Sequence, residues 1–179
     1  MAEVIDMNEK RLALAARRGF RRWQAFCDES LPPDASPRDL SDAVLGKLIQ
    51  PGDEIQRIIY EFVKEVKGLE SGKEFHRLTS PEKMEVMDIG LFLVDQLRFE
   101  AMHRLGWVRE LPTLEVPLVR LVAYFPSEYG KFKHTTPELA PDHPLYPRYR
   151  ETFEGDRGGF VRKLVPGVLE AFGAGKRGK

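Results

Sequence analysis

The chain has 179 residues, 42% of them hydrophobic, with 28 basic and 28 acidic side chains and no formal net charge. That balance describes one ordinary globular domain and excludes both a disordered polyelectrolyte and a histone-like polycation. Any attraction to a polyanion therefore has to come from a local patch, because the molecule as a whole exerts none.

The opening stretch MAEVIDMNEK carries acids and no apolar run, so it does not read as a secretory leader. Apolar side chains then recur at Ile5, Leu12, Ala16, Phe20, Trp23 and Cys27, which predicts a long amphipathic helix over 3–28. LPPDASP breaks it. Ser36 followed by Pro37 suits the cap and first turn of a second helix running to Gln50, with Leu40, Val44, Leu45 and Leu48 as its core face. After QPGD, Asp53 is expected to cap a third helix whose stripe of Ile55, Ile58, Ile59, Phe62 and Val66 ends at Gly68. A polar connector with Gly72 and His76 leads to Thr79 and Glu82, a capping-box pair, and Pro81 suits the first turn of a fourth helix reaching Gly106. Between Met84 and Leu105 that helix is apolar on almost every side, the pattern of an element surrounded by the others.

LEVPLVRLVAYF is rich enough in valine for a strand, but Leu118, Leu121, Val122 and Phe125 keep helical spacing and no partner strand is evident. A short helix is expected there. Pro126, Pro137, Pro141, Pro144 and Pro147 oppose regular structure over 126–147, while Tyr129, Phe132 and Tyr146 offer aromatic anchors that would strap the loop onto the domain. A final helical pair over 148–154 and 159–172 is separated by GDRGG and interrupted by Pro166, and the GAGKRGK tail is expected to fray. The expected fold is all-α: four main helices bundled within residues 1–110, wrapped by an extension over 111–179, in a single domain.

Residues 17–26 read RRGFRRWQAF. At 100° per residue, Lys10, Arg11, Arg17, Arg18, Arg21 and Arg22 fall within an arc of ~140°. Leu12, Ala16, Phe20, Trp23, Phe26 and Cys27 take the opposite arc, so charge and apolar surface are expected to separate cleanly. No acidic residue lies between Lys10 and Cys27, and the face cannot neutralise itself through helical neighbours. Three fates are open to it. Glu54, Glu61 and Glu65 on the third helix can compensate it; it can dock on an acidic protein or a nucleic-acid backbone; or it can lie on a membrane, which requires its apolar face to be free. Six neutralised phosphates would give log affinity a slope of about −5 against log salt on duplex DNA.

The fourth helix supplies the alternative chemistry. Asp88 and Asp95 are seven residues apart on one stripe among Met84, Leu91, Phe92, Phe99 and Met102, with His103 about 60° away. Buried carboxylates raise their pKa unless paired, which is a route to a general acid or base. Arg98 or arginines of the first helix are the expected partners. The preferred function is a non-catalytic interaction protein, with an enzyme of unknown reaction at Asp88, Asp95 and His103 as the alternative.

Other signals are weak. Glu100 and His103 form an E-x-x-H, but the second such pair of a di-iron bundle is missing. His134, Asp142 and His143 lack the spacing of a metal site, and the G-x-x-x-x-G-K match at the tail has no following helix. No cofactor or metal is expected. Cys27, the single cysteine, excludes an internal disulfide, and no apolar run approaches the roughly 18 residues of a membrane span. A cytoplasmic location is expected, with self-association into a homo-oligomer left open.

Overall fold

The computed structural model describes residues 6–69 and 74–174. The expectations placed on Ile5, on Gly72 and on the tail beyond 174 lie outside them. Among the described residues the regular structure is all-helical, with an isolated antiparallel bridge between Val108 and Leu139.

Helix α1 spans Met7–Cys27. Asp6 caps it by accepting the Asn8 N–H at 2.9 Å, and Glu9 adds a negative charge to the first turn. At the other end Lys47 supplies the cation that the last turn lacks. Its Nζ donates to the carbonyls of Phe26 and Cys27 at 3.1 and 3.5 Å and lies over the Phe26 ring.

The second helix is shorter than its sequence suggests. Ser36 does form a capping box with Asp39, but over a 3₁₀ turn, Pro37–Asp39. Leu40 is extended, and a fresh cap at Ser41 starts α2, Asp42–Leu48. Two caps five residues apart compete for one chain, and the second wins the helix. The hydrogen bonds that Ser36 gives Asp39 pull its carboxyl below the usual range.

Helix α3, Asp53–Lys67, begins one residue after Gly52, which holds the N-cap position at φ 145 in place of the expected Asp53. Gly68, at φ 68, closes it as expected. Helix α4, Ser80–Arg104, carries the predicted Thr79–Glu82 capping box. Short helices follow: α5 Leu118–Ala123, α6 Tyr146–Glu151, α7 Arg157–Arg162 and α8 Val165–Ala174. Within 116–125 the helix is Leu118–Ala123, and the expected 159–172 helix is divided just before Pro166, which takes the first turn of α8.

The centre of the molecule is the contact of α1 with α3, which packs in turn on α4. Phe20, Trp23 and Phe62 are fully buried there, with ring centroids 4.7 to 5.3 Å apart. Trp23 keeps its indole N–H satisfied by donating to the Ile58 carbonyl at 3.2 Å. The close approach depends on Gly19, because a Cβ there would stand 2.6 Å from the Phe62 ring. Helix α5 packs against α1, α3 and α4 and buries Leu118, Val119, Leu121 and Val122, while α8 packs on α4 and α2. Helix α4 is not enclosed all round, contrary to its composition: Met84 and Leu91 are about two-thirds exposed. Their side of the helix faces solvent, which the absence of an apolar moment conceals.

Residues 126–145 are irregular apart from a 3₁₀ turn at Gly130–Phe132, and the last two residues of the stretch expected to be irregular, Tyr146 and Pro147, instead open α6. The bridge at Val108 ties this segment down through Arg109 N–H to the Glu138 carbonyl and Ala140 N–H to the Trp107 carbonyl, both 2.8 Å. His143 completes the tie. Its ring sits edge-on to Trp107, and Nδ1 accepts the Leu145 N–H at 3.2 Å, which requires an unprotonated nitrogen.

Two consequences are measurable. Gly19→Ala is expected to lower stability by about 1–2 kcal/mol in urea denaturation, because the overpacking against Phe62 outweighs the ~1 kcal/mol that alanine gains in helix propensity. Burial holds the His143 pKa below 6.5, with the Asp142 charge opposing. The unfolded chain therefore binds the proton more readily, and the stabilisation present above pH 6.5 is lost as pH falls through the folded value. An NMR titration should place the His143 midpoint below 6.5, and a midpoint at or above it would refute this account.

Candidate basic interface on the first helix

The α1–α3 packing decides which side of α1 faces water. With Leu12, Ala15, Ala16, Gly19, Phe20, Trp23 and Cys27 buried, Lys10, Arg11, Arg17, Arg18, Arg21 and Arg22 are all exposed. The helical wheel therefore brings the six predicted cations onto one surface, as expected from the sequence.

Compensation by α3 is slight. Arg18 pairs with Glu65 at 3.3 Å, but Glu61 is taken by Lys64 at 3.0 Å and Glu54 lies 3.9 Å from Arg57. Arg11 donates to the neutral Asn8 side chain at 3.1 Å. Among the described residues, no carboxylate stands within salt-bridge reach of Lys10, Arg11, Arg17, Arg21 or Arg22. Guanidinium groups that are neither buried nor paired carry their full field to an approaching partner.

One expectation about this face needs correction. Charge and apolar surface are not cleanly separated, since Leu14 and Met7 are 53% and 77% exposed on the same side as the arginines. The wheel positions of both residues are readable from the sequence. Only the packing shows that nothing covers them.

The carboxylate stripe on α4 resolves differently. Asp88 pairs with Lys133, and Asp95 accepts from Nε and Nη2 of Arg162 at 3.3 and 3.2 Å. Both partners come from the C-terminal third; neither Arg98 nor α1 supplies them. Arg98 instead donates to the Ile49 carbonyl at 3.4 Å, and burial lowers its pKa against the opposing charge of Asp95. The aspartate side chains are 36% and 26% exposed, so they are not the sealed acids that the stripe implies. Asp88, Asp95 and His103 follow one another along the axis at about 10 and 12 Å, too far for shared proton transfer.

Two surface clefts, of about 590 and 650 Å³, lie between the start of α1 and the Pro117–Arg120 segment and between α6 and α7. Asp88, Asp95 and His103 line neither of them. His134 is exposed, His143 is used by Leu145 and Trp107, and among the described residues no three His, Cys, Asp or Glu side chains group as a metal site. Cys27 is buried on the apolar face of α1. Arg157 of the GDRGG turn donates to the Thr152 and Arg150 carbonyls at 3.2 and 3.3 Å and lies over the Tyr149 ring, so it closes a turn.

Among the described residues the most completely buried carboxylate is one that the α4 stripe does not include. Glu100, 2% exposed, accepts from Arg104 Nε at 2.7 Å, and Arg104 reaches on to Asp42 at 2.8 Å and to the Pro37 and Arg38 carbonyls at 3.3 and 3.0 Å. Partial burial works against the Arg104 charge, but the hydrogen bonds it donates to Glu100 and Asp42, and their charges, outweigh it and raise its pKa. The spacing of four between Glu100 and Arg104 is a sequence-level signal for this pair. Its reach to residues 37–42 is not. Beside it Thr113 donates to the Gln96 side chain, and both residues are buried. The cluster fastens the 37–42 segment to α4 and so holds α2 in place.

Comparison with protein-family models, with curated proteins and with solved structures finds no match for this chain. The reading of its surface therefore rests on the geometry above.

Removing Arg104 leaves Glu100 buried and unpaired, so Arg104→Met is expected to cost about 3–5 kcal/mol in urea denaturation. Adding Glu100→Gln should recover part of that loss, whereas an equally unstable double variant would show that the carboxylate charge is not the cause.

Proposed function

We propose that this chain is a non-catalytic interaction protein whose first helix presents a cationic face to an acidic partner, protein carboxylates or nucleic-acid phosphates. The observation that carries the reading is the set of cations on α1, Lys10, Arg11, Arg17, Arg21 and Arg22, left without a carboxylate among the described residues. In this reading the chain is a single helical domain: α1 to α4 form the bundle that displays the face, and residues 111–179 strap across it. Lys133 and Arg162 belong to that strap, and their bonds to Asp88 and Asp95 engage the two acids expected to pair with the arginines of the first helix.

The enzyme reading draws no support from the placement of its residues, which are ion-paired or separate. A bilayer partner is disfavoured as well. Among the described residues no helix is long and apolar enough to cross a membrane, and the apolar face of α1 is occupied by the core rather than free for lipid.

The test is a charge-removal variant. Arg17→Gln, Arg21→Gln and Arg22→Gln together touch only exposed groups, so the helical circular dichroism and melting temperature should change little. Binding to a short DNA duplex or to poly-L-glutamate should weaken at least tenfold, and on the duplex the log–log salt slope should fall by about 3. Retention of both affinity and slope would remove the proposal.

A further inference from the structure

The composition of the α1 face narrows the class of partner. At 100° per residue Met7 and Leu14 stand about 20° apart, in the middle of the cationic arc. Lys10, Arg17 and Arg21 flank them on one side, and Arg11, Arg18 and Arg22 on the other. Both apolar side chains are more than half exposed. A spacing of seven between uncovered apolar residues, with charge on both shoulders, is the layout of a helix face that receives a second helix.

A phosphate backbone would satisfy the arginines but gives Leu14 and Met7 no apolar surface to meet, so their burial would contribute nothing. A lipid surface would engage the apolar groups, but it needs a broad free stripe, and Phe20 and Trp23 have 0% exposure within the core.

Resting on the cationic-face reading above, we infer that the partner is an acidic amphipathic protein helix. Its apolar row seats on Leu14 and Met7, and the glutamates or aspartates beside that row meet Lys10, Arg17 and Arg21 on one flank and Arg11 and Arg22 on the other. Met7 to Arg22 spans about 23 Å of axis, so a partner segment of roughly 15 residues covers the face. The cations speed and orient the encounter, while the Leu14 contact supplies the dependence on pattern that bare charge lacks.

The experiment compares three fluorescent probes by anisotropy at low salt. Two are synthetic peptides of about 18 residues with identical glutamate and leucine content, one with leucines at heptad spacing and one scrambled. The third is a short DNA duplex. The wild-type chain should bind the patterned peptide at least tenfold tighter than the scrambled one. Leu14→Ser should erase that advantage while leaving the scrambled peptide and the duplex unaffected. Equal binding of the two peptides, indifference to Leu14→Ser, or tighter binding of the duplex than of the patterned peptide would each overturn the inference. If the triple glutamine variant binds all three probes as the wild type does, the cationic-face reading itself falls. If charge matters and Leu14 does not, only the helical partner is lost.

Discussion

The approach of α1 to α3 is the constraint on which the rest of the molecule depends. Gly19 removes the one Cβ that would strike the Phe62 ring, so Phe20, Trp23 and Phe62 can close into a dry aromatic cluster. Burying three large rings at one helix crossing fixes the rotation of α1 about its own axis. Once that rotation is set, every residue on the far side of the wheel is committed to solvent. The glycine within RRGFRR is therefore part of the reason that the arginines around it are exposed.

Charge is distributed unevenly as a result. Elsewhere in the chain acids and bases find each other across long sequence separations: Arg104 with Asp42, Arg38 with Glu110 and Glu115, Lys67 with Glu85, and Arg162 with Asp95. On α1 only Arg18 has such a partner among the described residues. The electroneutral composition conceals this, because net charge counts groups without regard to where they lie. A local excess of cations beside an uncovered leucine is a property of the surface, and it carries the functional reading.

Much of the local structure was legible in the residue order. The Thr79–Glu82 box, the Gly68 terminus and the buried Ile55, Ile58, Ile59 and Phe62 of α3 all depend on groups within one or two turns of each other, and they stand where the pattern puts them, while Val66 is only partly buried. The failures have the same origin. Ser36 was a correct cap for the wrong element, because Ser41 offered a second cap before a helix had been built. Helix α4 looked enclosed because its composition is apolar, yet which flank stays open depends on how far α3 and the C-terminal segments reach around it. For the candidate site, the arginine face was visible from helical periodicity, whereas the partners of Asp88 and Asp95 were not, since Lys133 and Arg162 are 45 and 67 residues away in sequence.

Short-range order thus follows from the chain alone: helical class, the capped ends at Thr79 and Gly68, the core stripe of α1 and the angular grouping of the cations. These depend on periodicity and capping, which act over a few residues. Folding in three dimensions had to decide the rest. It determined that α3 leaves most of the α1 cations unmatched, that distant bases neutralise the α4 aspartates, and that Leu14 stays uncovered. Those outcomes turn on side-chain distances between remote segments, and no local rule encodes them.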